Sequence, residues 1–320
     1  MQKFILTVGP SLGGRVPIND IHQSNFIYRI NGAHGSVQDI EETIVSLKKQ
    51  NQNIEILIDL PGNKIRTSNL ANPISLKKGK DFVLKSDQFN YGNFISLVKP
   101  GMEVYANDSC FLFVVKEVRD NEIVFTSNSE GLLLNNKGMH IRNLHKDIPF
   151  LFEKDFALIK LCNQFNIPYI GASFVRKRDD ICILKEKVGY DTQVIAKIET
   201  LEAVNNLNDI LEVVNFILID RGDLSTEIGI EKIPRYQQHI IEKAHHKGVK
   251  VFLATQILKN MEKNPLPTIA EIDDLYTISK KGIYGVQLSE EIAIGEYVKQ
   301  CIDVLLMMQN EIASEEILLK

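Results

Sequence analysis

Two short segments carry the residue types best suited to chemistry. TQVIAKIE (192–199) sets Lys197 and Glu199 at the end of a β-branched run, and FILIDRGD (216–223) does the same with Arg221 and Asp223. Buried strands of a parallel sheet read as near-continuous apolar runs, and a barrel of such strands presents its chemistry at their C-terminal ends. Two carboxylates and a lysine converging there suit a hard cation and a phosphoryl group. For either segment alone, a charged turn after a strand is an equal reading, so the rest of the chain has to decide.

The elements that would position those residues alternate. Apolar runs at 4–9, 25–31, 54–60, 169–174, 192–199, 216–220, 249–256 and 284–289 read as strands. Amphipathic stretches at 37–50, 153–166, 179–189, 199–213, 235–248, 268–282 and 294–312 read as the helices between them. Strands alternating with helices in this number predict an α/β fold, a (β/α)8 TIM barrel. The alternation breaks once. From Thr67 to about Asp147 the residues alternate apolar and polar with turn signals such as PG, KG and NNKG. The expected organisation is a catalytic barrel of 1–67 and 147–320 with a small antiparallel β-barrel, 68–146, inserted after the third strand as a lid.

Bulk properties narrow the function. The chain has 320 residues, 44% of them hydrophobic and 24% charged, as in ordinary soluble proteins. A net charge of −4 leaves no electrostatic footprint for nucleic acid. Four cysteines (Cys110, Cys162, Cys182, Cys301) lack CxxC or Cys/His spacing, so neither a zinc site nor a disulfide framework is indicated. The N-terminal apolar run is too short for a signal peptide. No stretch reaches the roughly 18 apolar residues of a spanning helix, so a cytoplasmic protein without membrane contact is expected.

At the strand ends the chain resembles the pyruvate kinase family from Lys3 to about Val304. TVGPS (7–11), RINGAHG (29–35), IDLPGNKIRT (58–67), EKDFALIK (153–160), ASFVRKRDDI (172–181), AKIET (196–200), RGDLSTEI (221–228), ATQILKNM (254–261), NPLPTIAE (264–271) and LSEEIAIG (288–295) follow in the family's order and spacing. The resemblance implies phosphoryl transfer between phosphoenolpyruvate and ADP, giving pyruvate and ATP. It implies Glu199 and Asp223 as ligands of Mg2+ (or Mn2+), with Lys197 against the phosphoryl group and enolate oxygen. Arg29 and Arg66 would complete a cationic cradle, arginine forks being suited to phosphate. Thr255 would help position the pyruvate moiety, and the amides around Gly222 and Asp223 would meet a carboxylate. Asn31 and His34 would lie on the ADP side, with Lys137 and Asp108 reaching in from the lid. Turn and surface roles remain open for Asn31 and His34.

The departures carry expectations too. The family's alkali-metal site uses an asparagine, a serine, an aspartate and a threonine. Asn31 and Asp59 match, but Ala33 and Leu60 replace the other two, while Lys64 stands where potassium-dependent members have a glutamate. An ammonium there would substitute for the ion, so K+ is not expected to be required. Asp220 replaces a small residue, Ile269 an arginine of a barrel–barrel contact, Glu290 a glycine and Ile292 a threonine. Gly13 and Gly14 stand where the family has an arginine after TVGPS, with Arg15 offset. The chain stops near the barrel's last helix, so no sugar-phosphate control by a C-terminal domain is expected. The expected assembly is a monomer or homodimer. Two other readings are a divergent kinase for another small carboxylate and a catalytically retired phosphoenolpyruvate- or nucleotide-binding regulator.

Overall fold

In the computed structural model, each of the eight β-branched runs forms a strand. The structure describes residues 2–107, 109–142, 144 and 148–318, the last three as backbone only. Strands in chain order are β1 Lys3–Thr7, β2 Phe26–Asn31, β3 Glu55–Asp59, β4 Ile74–Leu76, β5 Asp81–Lys85, β6 Glu103–Ala106, β7 Phe111–Arg119, β8 Glu122–Ser127, β9 Gly131–Leu133, β10 Met139–His140, β11 Tyr169–Ala172, β12 Gln193–Ile198, β13 Phe216–Asp220, β14 Lys250–Ala254 and β15 Gly285–Leu288. The order β1-β15-β14-β13-β12-β11-β3-β2 closes on itself with every pairing parallel. This is the expected α/β barrel.

The helices are α1 Val37–Gln50, α2 Phe94–Leu97, α3 Glu153–Gln164, α4 Arg178–Lys185, α5 Leu201–Asn205, α6 Leu207–Leu211, α7 Arg221–Ile228, α8 Ile233–His246, α9 Ile269–Lys280, α10 Glu290–Ala293 and α11 Val298–Leu318. Reciprocal caps start two of them, Ser36 with Asp39 on α1 and Thr268 with Glu271 on α9. Such a cap contributes about 1 kcal/mol. Asp155 has a wider role: its carboxylate accepts from Phe152 N (2.7 Å) at the start of α3 and from Gly62 N (3.1 Å) in the turn after β3. The stretch 199–213 is not one helix but two, α5 and α6, which meet at Asn206 (φ −96°, ψ 14°), whose side chain donates to Arg176 O at 2.9 Å.

Contacts divide the chain into two compact units: Met1–Gly62, Leu151–Gly222 and Ile233–Lys320 in the first, Asn63–Phe150 and Asp223–Lys232 in the second. Inside the barrel of the first unit, Ile5, Ile27, Leu57, Tyr169, Ile195, Phe216, Leu218, Phe252 and Ala254 form one buried cluster, with Tyr284 packed against it. Two residues farther along five of these strands the inward side chain turns polar or charged. Ile5 gives way to Thr7, Ile27 to Arg29, Leu57 to Asp59, Ile195 to Lys197 and Leu218 to Asp220. Because strand side chains alternate faces with a period of two, one step along the barrel replaces an apolar floor with a polar layer.

The second unit is antiparallel throughout, as its sequence alternation requires. It holds a five-stranded sheet, β10-β6-β7-β8-β5, and a two-stranded one, β4-β9. Phe82, Phe113 and Phe125 pack ring to ring beneath the larger sheet. The segment 223–232 joins this unit through Glu227, whose Oε2 lies 2.7 Å from His140 Nε2 with both side chains buried. Arg142 Nε donates to Thr226 O at 3.0 Å.

Candidate active site at the barrel strand ends

Lys197 is the hub of the polar layer. It leaves β12 into a space where only 6% of it is exposed. Its ammonium lies 3.0 Å from Glu199 Oε1, 3.3 Å from Asp59 Oδ2 and 3.9 Å from Asp220 Oδ2, and it donates to Ser173 Oγ at 3.1 Å. Burial alone would push this amine down. The carboxylates of Asp59, Glu199 and Asp220 together outweigh burial and hold it well above the usual lysine range. Lys197 is therefore a fixed positive charge.

Arg29 and Asp59 form the second pair. Arg29 Nε donates to Asp59 Oδ2 at 2.7 Å and Nη1 donates to Thr7 Oγ1 at 2.9 Å. Burial pushes the Asp59 carboxyl up, but Lys197 and Arg29 pull it below its ordinary value. Only a glycine fits beside it, since a Cβ on Gly171 would stand 2.5 Å from Asp59 Oδ1. Glu199 is oriented by the backbone: its Oε2 accepts from Phe174 N at 2.6 Å, and Phe174 sits at φ 54°. Aromatic residues rarely adopt that conformation unless the surroundings impose it.

The seventh strand ends in a second strained turn. Thr255 and Gln256 have φ of 76° and 57°. Thr255 Oγ1 donates to Asp220 Oδ1 at 2.6 Å, and Gly222 N donates to the same oxygen at 3.2 Å. Arg221 donates to Thr255 O from Nε (3.0 Å) and Nη2 (2.8 Å), and its Nη1 donates to Asp274 Oδ2 at 2.6 Å. Besides the Arg221–Asp274 pair, the strand ends of this unit thus gather three carboxylates (Asp59, Glu199, Asp220) and two cations (Arg29, Lys197).

That surplus of negative charge, carried by hard oxygens, fits a divalent cation. A carboxylate oxygen of Glu199 and one of Asp220 lie within 4.8 Å of each other. Asp220 Oδ1 is taken by Thr255 and Gly222, which leaves Oδ2, 3.9 Å from the Lys197 ammonium, as the oxygen Asp220 could offer. Asn31 closes a turn, its Oδ1 accepting from Ala33 N at 3.1 Å, and His34 is exposed. Sequence reasoning brought Arg29, Lys197, Glu199, Gly222 and Thr255 to the strand ends. It missed Ser173 and the joint grip of Arg221 and Asp274 on the turn. Asp59 carried the same signal as Lys197, a charge ending a β-branched run.

Lys64, Arg66, Lys137 and Asp223 lie in the second unit. Lys64 Nζ donates to Asp223 Oδ1 at 2.6 Å, an ion pair with side-chain exposures of 14% and 22%. The Lys64 stem lies over Gly138, where a Cβ would meet its Cε at 2.6 Å. Arg66 donates from Nη1 to Lys64 O at 3.3 Å, and Arg66 pairs with Gly138 as a bridge. Lys137 is half-buried and its backbone pairs with Thr67. Asp108 lies outside the described residues. Among the described residues, no helix is long and apolar enough to cross a membrane.

Comparison with known proteins agrees with this layout. The family model for the pyruvate kinase barrel domain matches residues 1–302. The chain is 32% identical over 321 residues to a pyruvate kinase of Thermococcus litoralis, covering 95% of this chain and 68% of that protein. It is 31% identical over 327 residues to a pyruvate kinase of Thermotoga maritima, covering 97% and 70%. With a pyruvate kinase of Geobacillus stearothermophilus the identity is 31% over 324 residues, covering 95% and 55%. The chain thus spans between 55% and 70% of the length of these three relatives. A match running through every barrel strand, from β1 into α11, reaches beyond a shared fold: this chain belongs to the pyruvate kinase family.

Proposed function

We propose that the chain transfers a phosphoryl group between phosphoenolpyruvate and ADP, forming pyruvate and ATP with Mg2+ or Mn2+ and without potassium. The observation that carries this reading is the Lys197 ammonium, buried and fixed among three carboxylates beside Arg29. A charge held in a low-dielectric site without reorganisation is what stabilises a moving negative charge best. Lys197 faces the phosphoryl and enolate oxygens, and Arg29 steadies the phosphate while held by Asp59. Arg66 completes the cradle, and Thr255 positions the pyruvate moiety. Glu199 and Asp223 would hold the divalent ion, as the family resemblance implies, and when bound it would supply charge neutralisation to the substrate. Asn31, His34, Lys137 and Asp108 serve the nucleotide.

Independence from potassium rests on oxygens that are absent or engaged. Ala33 and Leu60 offer none. Asp59 Oδ2 is taken by Arg29 and Lys197, and Asn31 Oδ1 by Ala33 N. Lys64 supplies the missing charge. The test is pyruvate release from phosphoenolpyruvate with and without ADP, in tetramethylammonium buffer with potassium then added, and again with EDTA. Turnover that needs ADP and divalent metal and ignores potassium supports the reading. Strong potassium activation removes the role of Lys64, and no ADP-dependent pyruvate refutes the activity. A second reading, a kinase for another small carboxylate, is favoured by Asp220 on the Thr255 hydroxyl. ATP consumption with a panel of small carboxylates tests it.

A further inference from the structure

Two consecutive non-glycine residues at positive φ follow β14, and one of them, Thr255, is β-branched. Each such residue costs on the order of 1–3 kcal/mol and persists only where its surroundings over-determine it. Two neighbours in the chain do so here. Arg221 holds the carbonyls, taking Thr255 O with two nitrogens and Gln256 O at 3.1 Å, and is itself anchored on Asp274. Asp220 holds the side chain, accepting the Thr255 hydroxyl at 2.6 Å. The carboxylate cannot swing away easily. Its Oδ1 also accepts from Gly222 N, and its Oδ2 lies 3.9 Å from the Lys197 ammonium. Gly222 leaves no slack either, since a Cβ there would lie 3.0 Å from Thr255 Cγ2 and 3.4 Å from Asp220 Oδ1.

Thr255 donates its single hydroxyl proton to Asp220 Oδ1, so that proton is committed. The hydroxyl oxygen keeps its lone pairs. At the strand ends Thr255 is thereby turned into an acceptor, whereas a small apolar residue at 220 would leave its hydrogen free to rotate. We propose that Asp220 is a positioning residue, which fixes Thr255 as a hydrogen-bond acceptor and, with Arg221, locks the turn that presents it. The proposal deepens the proposed function, because the group it orients is the one beside the pyruvate moiety. It also narrows the contact: the group resting on Thr255 is a donor such as a bound water, so Thr255 reaches the acceptor oxygens of the pyruvate moiety through that donor and not by a direct hydrogen bond.

The test compares Asp220→Asn, which keeps a carbonyl acceptor without the charge, with Asp220→Ala and Thr255→Val. Crystal structures come first and do not depend on turnover. In Asp220→Asn the turn stays at positive φ with the hydroxyl bonded to residue 220, and in Asp220→Ala the hydroxyl is released. A double-mutant cycle on thermal unfolding, Asp220→Ala with Thr255→Val, is non-additive if the two act as one unit. In phosphoenolpyruvate turnover and in exchange of the pyruvate methyl protons with deuterated solvent, Asp220→Ala and Thr255→Val each lose about tenfold or more in kcat, a change of at least about 1.4 kcal/mol, with KM little changed. Asp220→Asn recovers most of that loss. Additive unfolding effects, or an Asp220→Asn variant as impaired as Asp220→Ala, overturn the proposal. If Asp220→Ala does not fold, the structure and kcat of Asp220→Asn against Thr255→Val decide in the same sense. A parent protein inactive on these substrates counts against the proposed function alone, and the structures and the cycle still decide the role of Asp220.

Discussion

Replacing Lys197 by methionine removes the one ammonium shared by three carboxylates, and the geometry sets the size and pH dependence of the effect. At an effective dielectric of about 20, charges at the observed separations of 3.0, 3.3 and 3.9 Å attract by roughly 4–6 kcal/mol each. Desolvation cancels much of that, and removing one partner of a buried pair costs about 3–5 kcal/mol net. For a unit the size of this barrel, about 2–4 °C accompanies each kcal/mol, so Lys197→Met should melt roughly 6–20 °C below the parent at neutral pH. The folded pKa of Asp59 is depressed, so its stabilising contribution is present above the unfolded carboxylate range and is lost as pH falls toward the folded value. The folded pKa of Lys197 is raised, so its contribution is complete below the unfolded value, about 10.4, and fades only above it. The gap between parent and variant is therefore widest near neutral pH and narrows in acid, once carboxylates left without Lys197 take up protons. Thermal melts at intervals between pH 4 and 8, with Lys197→Arg as the charge-conserving control, measure it. A variant as stable as the parent at pH 7, or a gap that widens on acidification, would refute the reasoning. Below its melting range the folded variant should also lose about 100-fold or more in kcat, as expected when preorganised charge stabilisation is removed.

Three further outcomes are expected. Gly171→Ala forces a methyl against Asp59 and should cost about 1–3 kcal/mol of stability with a matching loss of turnover; an unaffected variant would show that Asp59 has room to move. Burial raises the pKa of Glu291 above its ordinary value, so deprotonation penalises the folded state at neutral pH. Glu291→Gln, which keeps an acceptor for Ser289 N, should raise Tm at pH 7 and lose that advantage as the pH falls through the raised folded value toward the unfolded one, about 4.3; equal melting temperatures at pH 7 would count against it. Lys64→Met frees Asp223 from its ion pair and should tighten Mn2+ binding by up to about fivefold, the worth of one partly exposed pair; weaker binding by titration calorimetry would exclude Asp223 as a ligand competed for by Lys64.

What the sequence disclosed follows from where its information resides. The eight barrel strands were legible to within a residue or two because burial on both faces writes each as a β-branched run. The charges that end those runs were legible for the same reason, since a charge after a buried strand has few places to go. Their partners were not. Lys64 meets Asp223 across 159 positions, and Arg221 meets Asp274 across 53, neither distance leaving a periodic trace. Helix ends set by tertiary contacts were also hidden. Periodicity runs on through Asn206, where the backbone leaves helical geometry between α5 and α6 and the side chain bonds Arg176 O. Helix α8 begins at Ile233 and takes Pro234 into its first turn, where a missing N–H costs nothing. The strain at Phe174 and Thr255 had no sequence signature, because neither is a glycine.

The aromatic floor of the barrel has a kinetic consequence. Tyr169 meets Phe216 edge-on, Phe216 stacks on Phe252, Tyr284 packs against both, and Lys250 caps the faces of Phe216 and Tyr284. Closely packed side chains of this kind make the strand interior a solid rather than a conduit. Whatever reaches Lys197 must arrive and depart by the same end of the strands. For the proposed transfer, accumulating product should therefore compete with fresh substrate for that end of the strands.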